Sequence, residues 1–73
     1  MRTYAVVFER GGENEENWGA WVPDLPGCIS TGDTLEEAKE NIRDAIDLHI
    51  RGMIEDGEPV PEPSVVELVD VAA

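Results

Sequence analysis

The passage that most constrains this chain runs from Trp21 to Glu37 and reads WVPDLPGCISTGDTLEE. Pro23 and Pro26 each push the preceding residue towards extended backbone and remove a hydrogen-bond donor, so a strand that reaches Trp21 ends there. Gly27 permits the positive φ of a tight turn. Residues 28–32, CISTG, read as a second short run of strand, and Gly32-Asp33 closes it. Thr34 is placed as an N-cap: its hydroxyl can accept from the backbone N–H of Glu37, and the Glu37 carboxylate can reach back to the Thr34 N–H. Glu36 and Glu37 put negative charge in the first helical turn, where the helix dipole favours it. One segment therefore fixes a strand end, a turn, a further strand and a helix start.

The helix is expected from about residue 35 to about residue 55. Leu35, Ala38, Ile42, Ala45, Ile46, His49, Met53 and Ile54 recur at three- and four-residue spacing and form an apolar stripe. Charged residues fill the opposite face. Asp47–Arg51 is an i,i+4 pair in the favourable order, and Glu36–Lys39 and Glu40–Arg43 are i,i+3 pairs. Gly52, near the end, costs about 1 kcal/mol relative to Ala and points to a close backbone contact or an early fray. Asp56-Gly57 reads as the stop, with Gly57 as the left-handed cap residue. His49 lies on the apolar stripe with no partner nucleophile or carboxylate named by the sequence, and is read as packing.

Residues 3–9, TYAVVFE, are rich in β-branched and aromatic types and read as the first strand. Residues 10–17, RGGENEEN, read as a polar, mobile hairpin tip. In WGAWV, residues 18–22, Trp18, Ala20 and Val22 share one face and Trp21 takes the other. The prolines of EPVPEP, residues 58–63, make a stiff extended connector. SVVELVDV, residues 64–71, reads as a fourth strand with apolar groups on both faces. The expected fold is α+β in the order β-β-β-α-β, an antiparallel sheet with one long helix on one face. One helix covers one face, so Val7, Trp21, Val65 and Val69 are expected to form a second apolar surface that is covered in a homo-oligomer.

Size points the same way. A single domain of 73 residues buries only about 60% of the surface its unfolded chain exposes. Cys28 is the one cysteine, so no internal disulfide helps, and a free thiol in a strand without a neighbouring base reads as a small hydrophobe. The sequence shows no metal or cofactor site and no catalytic group. Seventeen Asp and Glu against five Lys and Arg leave a formal net charge of −12. Such a balance disfavours direct nucleic-acid binding, which needs cations to displace counterions. No run approaches the roughly 20 apolar residues of a membrane span. Without a recognisable leader, the free cysteine fits the cytoplasm.

The opening strand with Tyr4 and Phe8, WVPDLPGC at 21–28, STGDTLEEA at 30–38, Asn41-Ile42, Ala45, His49 and DGEPVPEP at 56–63 follow one another in an order and spacing that resembles the HicB-like antitoxins. The resemblance covers about residues 4–69. It implies a partial RNase H-like fold, assembly into dimers or tetramers, and a place in a type II toxin–antitoxin pair. The partner it implies is a HicA-like toxin with a double-stranded-RNA-binding fold that cleaves mRNA. The antitoxin covers that toxin's active histidine and RNA surface. An acidic chain suits a basic, RNA-holding partner. Interface composition singles out Glu9, Trp18, Trp21, Asp24 and Leu25 as toxin-facing residues.

Many HicB-like antitoxins continue into a DNA-binding helix-turn-helix or ribbon-helix-helix. This sequence ends at Ala73, directly after the last expected strand, so operator binding is not expected of it. RNase H likeness does not bring nuclease activity, because Glu9, Asp33, Glu67 and Asp70 fall at strand ends or surface positions rather than converging on metal ions. The alternative is a stand-alone, self-assembling binding module whose partner is not a ribonuclease. A small hydrolase using His49 or the acidic residues is the third reading.

Overall fold

A computed structural model of the chain describes residues 2–11 and 17–72. Three strands, β1 (Val7–Gly11), β2 (Asn17–Trp21) and β3 (Ile29–Gly32), form an antiparallel sheet in the order β1-β2-β3. The helix α1 (Leu35–Glu55) follows. The β1–β2 ladder runs from Val7 opposite Trp21 to Gly11 opposite Asn17. The β2–β3 ladder runs from Trp18 opposite Gly32 to Trp21 opposite Ile29. Of the hairpin tip expected at residues 10–17, Arg10 and Gly11 instead belong to β1 and Asn17 to β2, where they pair; residues 12–16 lie outside the described residues.

Period-two alternation decides which side chains meet the helix. Phe8 and Ala20 face each other on the inner side of the sheet. Ala20, Val22, Leu25, Cys28 and Ile42 make the buried core, with Tyr4, Val6, Phe8, Ala45, Ile46, Ile50 and Met53 packed around it. The turn after β2 folds Leu25 inward. Leu25 N–H donates to Val22 O at 3.1 Å, Cys28 N–H to Leu25 O at 3.0 Å, and Val22 N–H to Cys28 O at 3.2 Å. Gly27, at φ 86°, closes it.

Thr34 caps α1 as expected: the Glu37 N–H donates to Thr34 Oγ1 at 3.1 Å. The return contact differs by one residue. Glu37 Oε1 accepts from the Asp33 N–H at 3.2 Å rather than from Thr34, because the carboxylate reaches past the cap to the next free donor. Asn41 Nδ2 donates to Thr31 O at 2.8 Å and ties α1 to β3. Gly32 lets the two elements meet: a Cβ there would stand 2.5 Å from Ala38 N. At the other end Glu58 N–H donates to Met53 O at 2.8 Å and Gly57 N–H to Ile54 O at 3.1 Å, with Gly57 at φ 74°. These contacts satisfy the last carbonyls of the helix.

Several expectations change. Gly52 has no atom within 4 Å of its would-be Cβ and the helix continues to Glu55, so it marks neither a close contact nor a fray. Ile54 leaves the stripe for solvent and Ile50 takes a place in it. Glu36–Lys39 and Asp47–Arg51 pair at 3.6 and 3.1 Å; Arg43 turns instead towards a groove beside β1. The first strand begins at Val7 rather than at residue 3, because β2 ends at Trp21 and residues 3–6 have no strand opposite them. The fourth strand does not form. Residues 64–72 carry no strand pairing, and Val65 and Leu68 are 90% and 99% exposed. Val65 and Val69 therefore do not join Val7 and Trp21 on the sheet of their own chain. Both departures have one physical cause: each segment lacks the neighbour whose backbone would complete its ladder.

Candidate interaction surface

The sheet face turned away from α1 carries an apolar row set by the ladder register. Val7 lies opposite Trp21, and Trp21 opposite Ile29. Trp21 is 41% and Ile29 70% exposed. The adjacent row is Glu9, Gly19 and Thr31. Gly19 has no side chain to shield the indole of Trp21, and Glu9 puts a carboxylate at the border. A flat aromatic centre with an acidic rim is a surface suited to a partner that is apolar at its centre and basic around it.

Of the residues singled out from sequence, Trp21 and Glu9 fall on this face. Trp18 points to the opposite side, next to Gly32, with the Arg10 guanidinium 5.3 Å from its ring centroid. Leu25 is fully buried; the turn that carries Asp24 drives Leu25 into the core rather than onto the surface. Asp24, in the turn after β2, is engaged: Ser64 N–H donates to Oδ2 at 2.8 Å and Ser64 Oγ–H to Oδ1 at 2.6 Å. These two donors lower the Asp24 pKa below its ordinary 3.8. Ile29 was missed. Its signal was the alternation around buried Cys28, which turns residue 29 outward.

A second feature escaped the sequence reading. Arg2, Lys39 and Arg43, three of the five cations of this acidic chain, converge on one groove of about 420 Å³ between the start of the chain and α1. They are far apart in sequence and become neighbours only in the fold. Cys28 is buried, and desolvation raises its pKa, which keeps the thiol protonated and unreactive. His49 is half-buried on the helix stripe. Among the described residues no group of three His, Cys, Asp or Glu is placed to hold a metal ion, and no helix is long and apolar enough to cross a membrane.

The sequence and the fold match a known family. Residues 4–72 match the family described as the HicB_like antitoxin of bacterial toxin-antitoxin system. An uncharacterised 14.9 kDa protein of Haemophilus phage HP1 is 54% identical over 46 residues, which cover 63% of this chain and 35% of that protein. Antitoxin HicB 2 of Photorhabdus laumondii is 36% identical over 61 residues, covering 84% of this chain and 42% of that protein. The chain thus spans well under half the length of these two relatives. Among solved structures, a HicA3 and HicB3 toxin-antitoxin complex contains a chain that superposes with a TM-score of 0.70 at 27% identity, over 86% of this chain and 70% of that one. With the match running through all three strands, the helix and the segment beyond it, the chain belongs to the HicB-like antitoxin family.

Proposed function

We propose that this protein is the antitoxin of a toxin–antitoxin pair and that it neutralises a HicA-like, mRNA-cleaving toxin by covering it. The observation that carries the reading is the family match over residues 4–72; the similarity to a chain from a toxin–antitoxin complex supports it. The reading assigns no catalysis to this chain. Binding alone acts: the antitoxin lays its outer sheet face over the toxin's RNA-holding surface and excludes the substrate. Trp21 and Ile29 anchor the contact and Glu9 meets toxin cations at the rim. The net charge of −12 accelerates encounter with a basic partner more than it adds final affinity, so association slows as salt rises. The pair acts in the cytoplasm, where its mRNA target is.

The test is co-expression with a HicA-like toxin, followed by RNA cleavage with the separated components. Stoichiometric protection of the RNA by this chain is the expected result. Co-purification without any effect on cleavage refutes neutralisation. A second reading, a stand-alone self-assembling module, is favoured by one observation, the unpaired apolar segment at 65–71; it predicts self-association and no ribonuclease partner.

A further inference from the structure

Among the described residues, two apolar segments lack a strand partner: residues 3–6, which precede β1, and residues 65–71. β1 is an edge strand bonded only to β2. Beside its free edge, Tyr4, Val6 and Phe8 form one wall of the groove, and Ile42 and Ile46 of α1 form the other. Arg2, Lys39 and Arg43 stand around it. The groove is thus an apolar slot with cationic margins, open where a further strand would lie. Residues 2–8 along its wall and residues 65–71 are equal in length, about 23 Å when extended.

The connector that leads to the tail is held at two points. Tyr4 Oη–H donates to Pro61 O at 2.5 Å, and Arg2 Nη1 donates to the Val60 and Pro61 carbonyls at 3.3 Å. Three residues later Ser64 is held by both oxygens of Asp24, in the turn beyond β2. Prolines at 59, 61 and 63 stiffen the path between these two anchors. The connector thus runs from Tyr4, ahead of β1, to Asp24 in the turn between β2 and β3. Leu68, 99% exposed, meets nothing of its own chain.

We infer that residues 65–71 of one copy add as a fourth strand to the free β1 edge of a second copy and fill its Arg2–Lys39–Arg43 groove, reciprocally. The pattern of the segment fits that slot. Val66, Leu68 and Asp70 alternate on one side, giving two apolar groups for the Tyr4–Val6–Phe8 wall and a carboxylate for the cations. Val65, Glu67, Val69 and Val71 take the other side and extend the sheet's outer face past Val7. Unpaired backbone on both segments is satisfied at once. The exchange concerns self-assembly and stands apart from the toxin reading, so it is tested on the chain alone.

The experiment is sedimentation velocity of the full chain from 1 to 200 µM, with Leu68→Glu, Arg43→Glu, and Arg43→Glu combined with Asp70→Arg. The expected result is a dimer of twice 8.0 kDa for the native chain. Leu68→Glu should weaken it ~30-fold or more, as burying a leucine is worth roughly 2 kcal/mol and 1.4 kcal/mol is tenfold. Arg43→Glu should weaken it, and the added Asp70→Arg should restore it. Because Leu68 touches nothing in its own chain, the variant's fold, read by far-UV circular dichroism, should stay native. A native chain that is monomeric throughout overturns the inference. So does a dimer that Leu68→Glu leaves intact, or an Arg43→Glu defect that Asp70→Arg fails to repair.

Discussion

Replacing Gly32 by Ala tests how β3 and α1 are joined. A Cβ at residue 32 would sit 2.5 Å from Ala38 N, 2.9 Å from Ala38 Cα and 2.9 Å from Glu37 C. All three are backbone atoms of the first helical turns, so no side chain can swing aside. Normal carbon contacts are near 3.5 Å; the strand and the helix must part by several tenths of an ångström or more. That motion loosens the Asn41–Thr31 bond and the Ala38 packing together. Overpacking a well-filled site costs about 1–3 kcal/mol, and an obstacle made of backbone puts this one near the upper end, ~3 kcal/mol. For a domain of this size 1 kcal/mol moves Tm by about 4–8 °C, so a fall of roughly 12–24 °C is expected. The assay is thermal unfolding by circular dichroism at one fixed protein concentration, with Gly52→Ala as the paired control. Gly52 has open space around its would-be Cβ, and Ala there should raise stability by about 0.5–1 kcal/mol through helix propensity and a less disordered unfolded chain. A Gly32→Ala protein that melts within about 3 °C of the native chain would refute the close approach of strand to helix.

Thr34→Ala removes the acceptor of the Glu37 N–H and should cost about 1 kcal/mol, a Tm loss of roughly 4–8 °C; Thr34→Ser should retain most of it, and equal losses in both would point away from the cap. The Asp24–Ser64 anchor should respond to acid. The folded pKa of Asp24 is lowered by the Ser64 hydroxyl and N–H, so the contribution is fully present above the ordinary value of 3.8 and fades as pH falls through the lower, folded value. The Ser64 amide chemical shift should then titrate with a midpoint below 3.8, and Asp24→Asn should abolish that titration; a midpoint at or above the ordinary value contradicts the anchor.

Much of the architecture was legible because its determinants are local. Two prolines and Gly27 fix the turn, Thr34 fixes the helix start, and Asp56-Gly57 fixes its end. Alternation in residues 18–22 correctly separated Trp21 from Ala20 and Val22. The departures are those that depend on a neighbour. Residues 3–6 and 64–71 have strand composition, yet β structure exists only where a second backbone accepts the hydrogen bonds. Leu25 was misplaced because the turn's bonds, which carry it into the core, are not written in its hydrophobicity. The Arg2–Lys39–Arg43 groove was invisible because its cations meet only in three dimensions, and net charge averages them away. Family membership was readable from the order and spacing of three motifs.

The most direct measurement is RNA cleavage by a HicA-like toxin, titrated with native protein and with Trp21→Asp/Ile29→Asp. Both side chains are exposed on the outer sheet face, so the double variant should remain folded. Complete inhibition at a stoichiometric amount of native protein, with at least a hundredfold more of the folded variant needed, is the expected result. Full-strength inhibition by the variant would show that the outer face is not the toxin site, and cleavage undiminished by excess native protein would contradict the antitoxin reading itself.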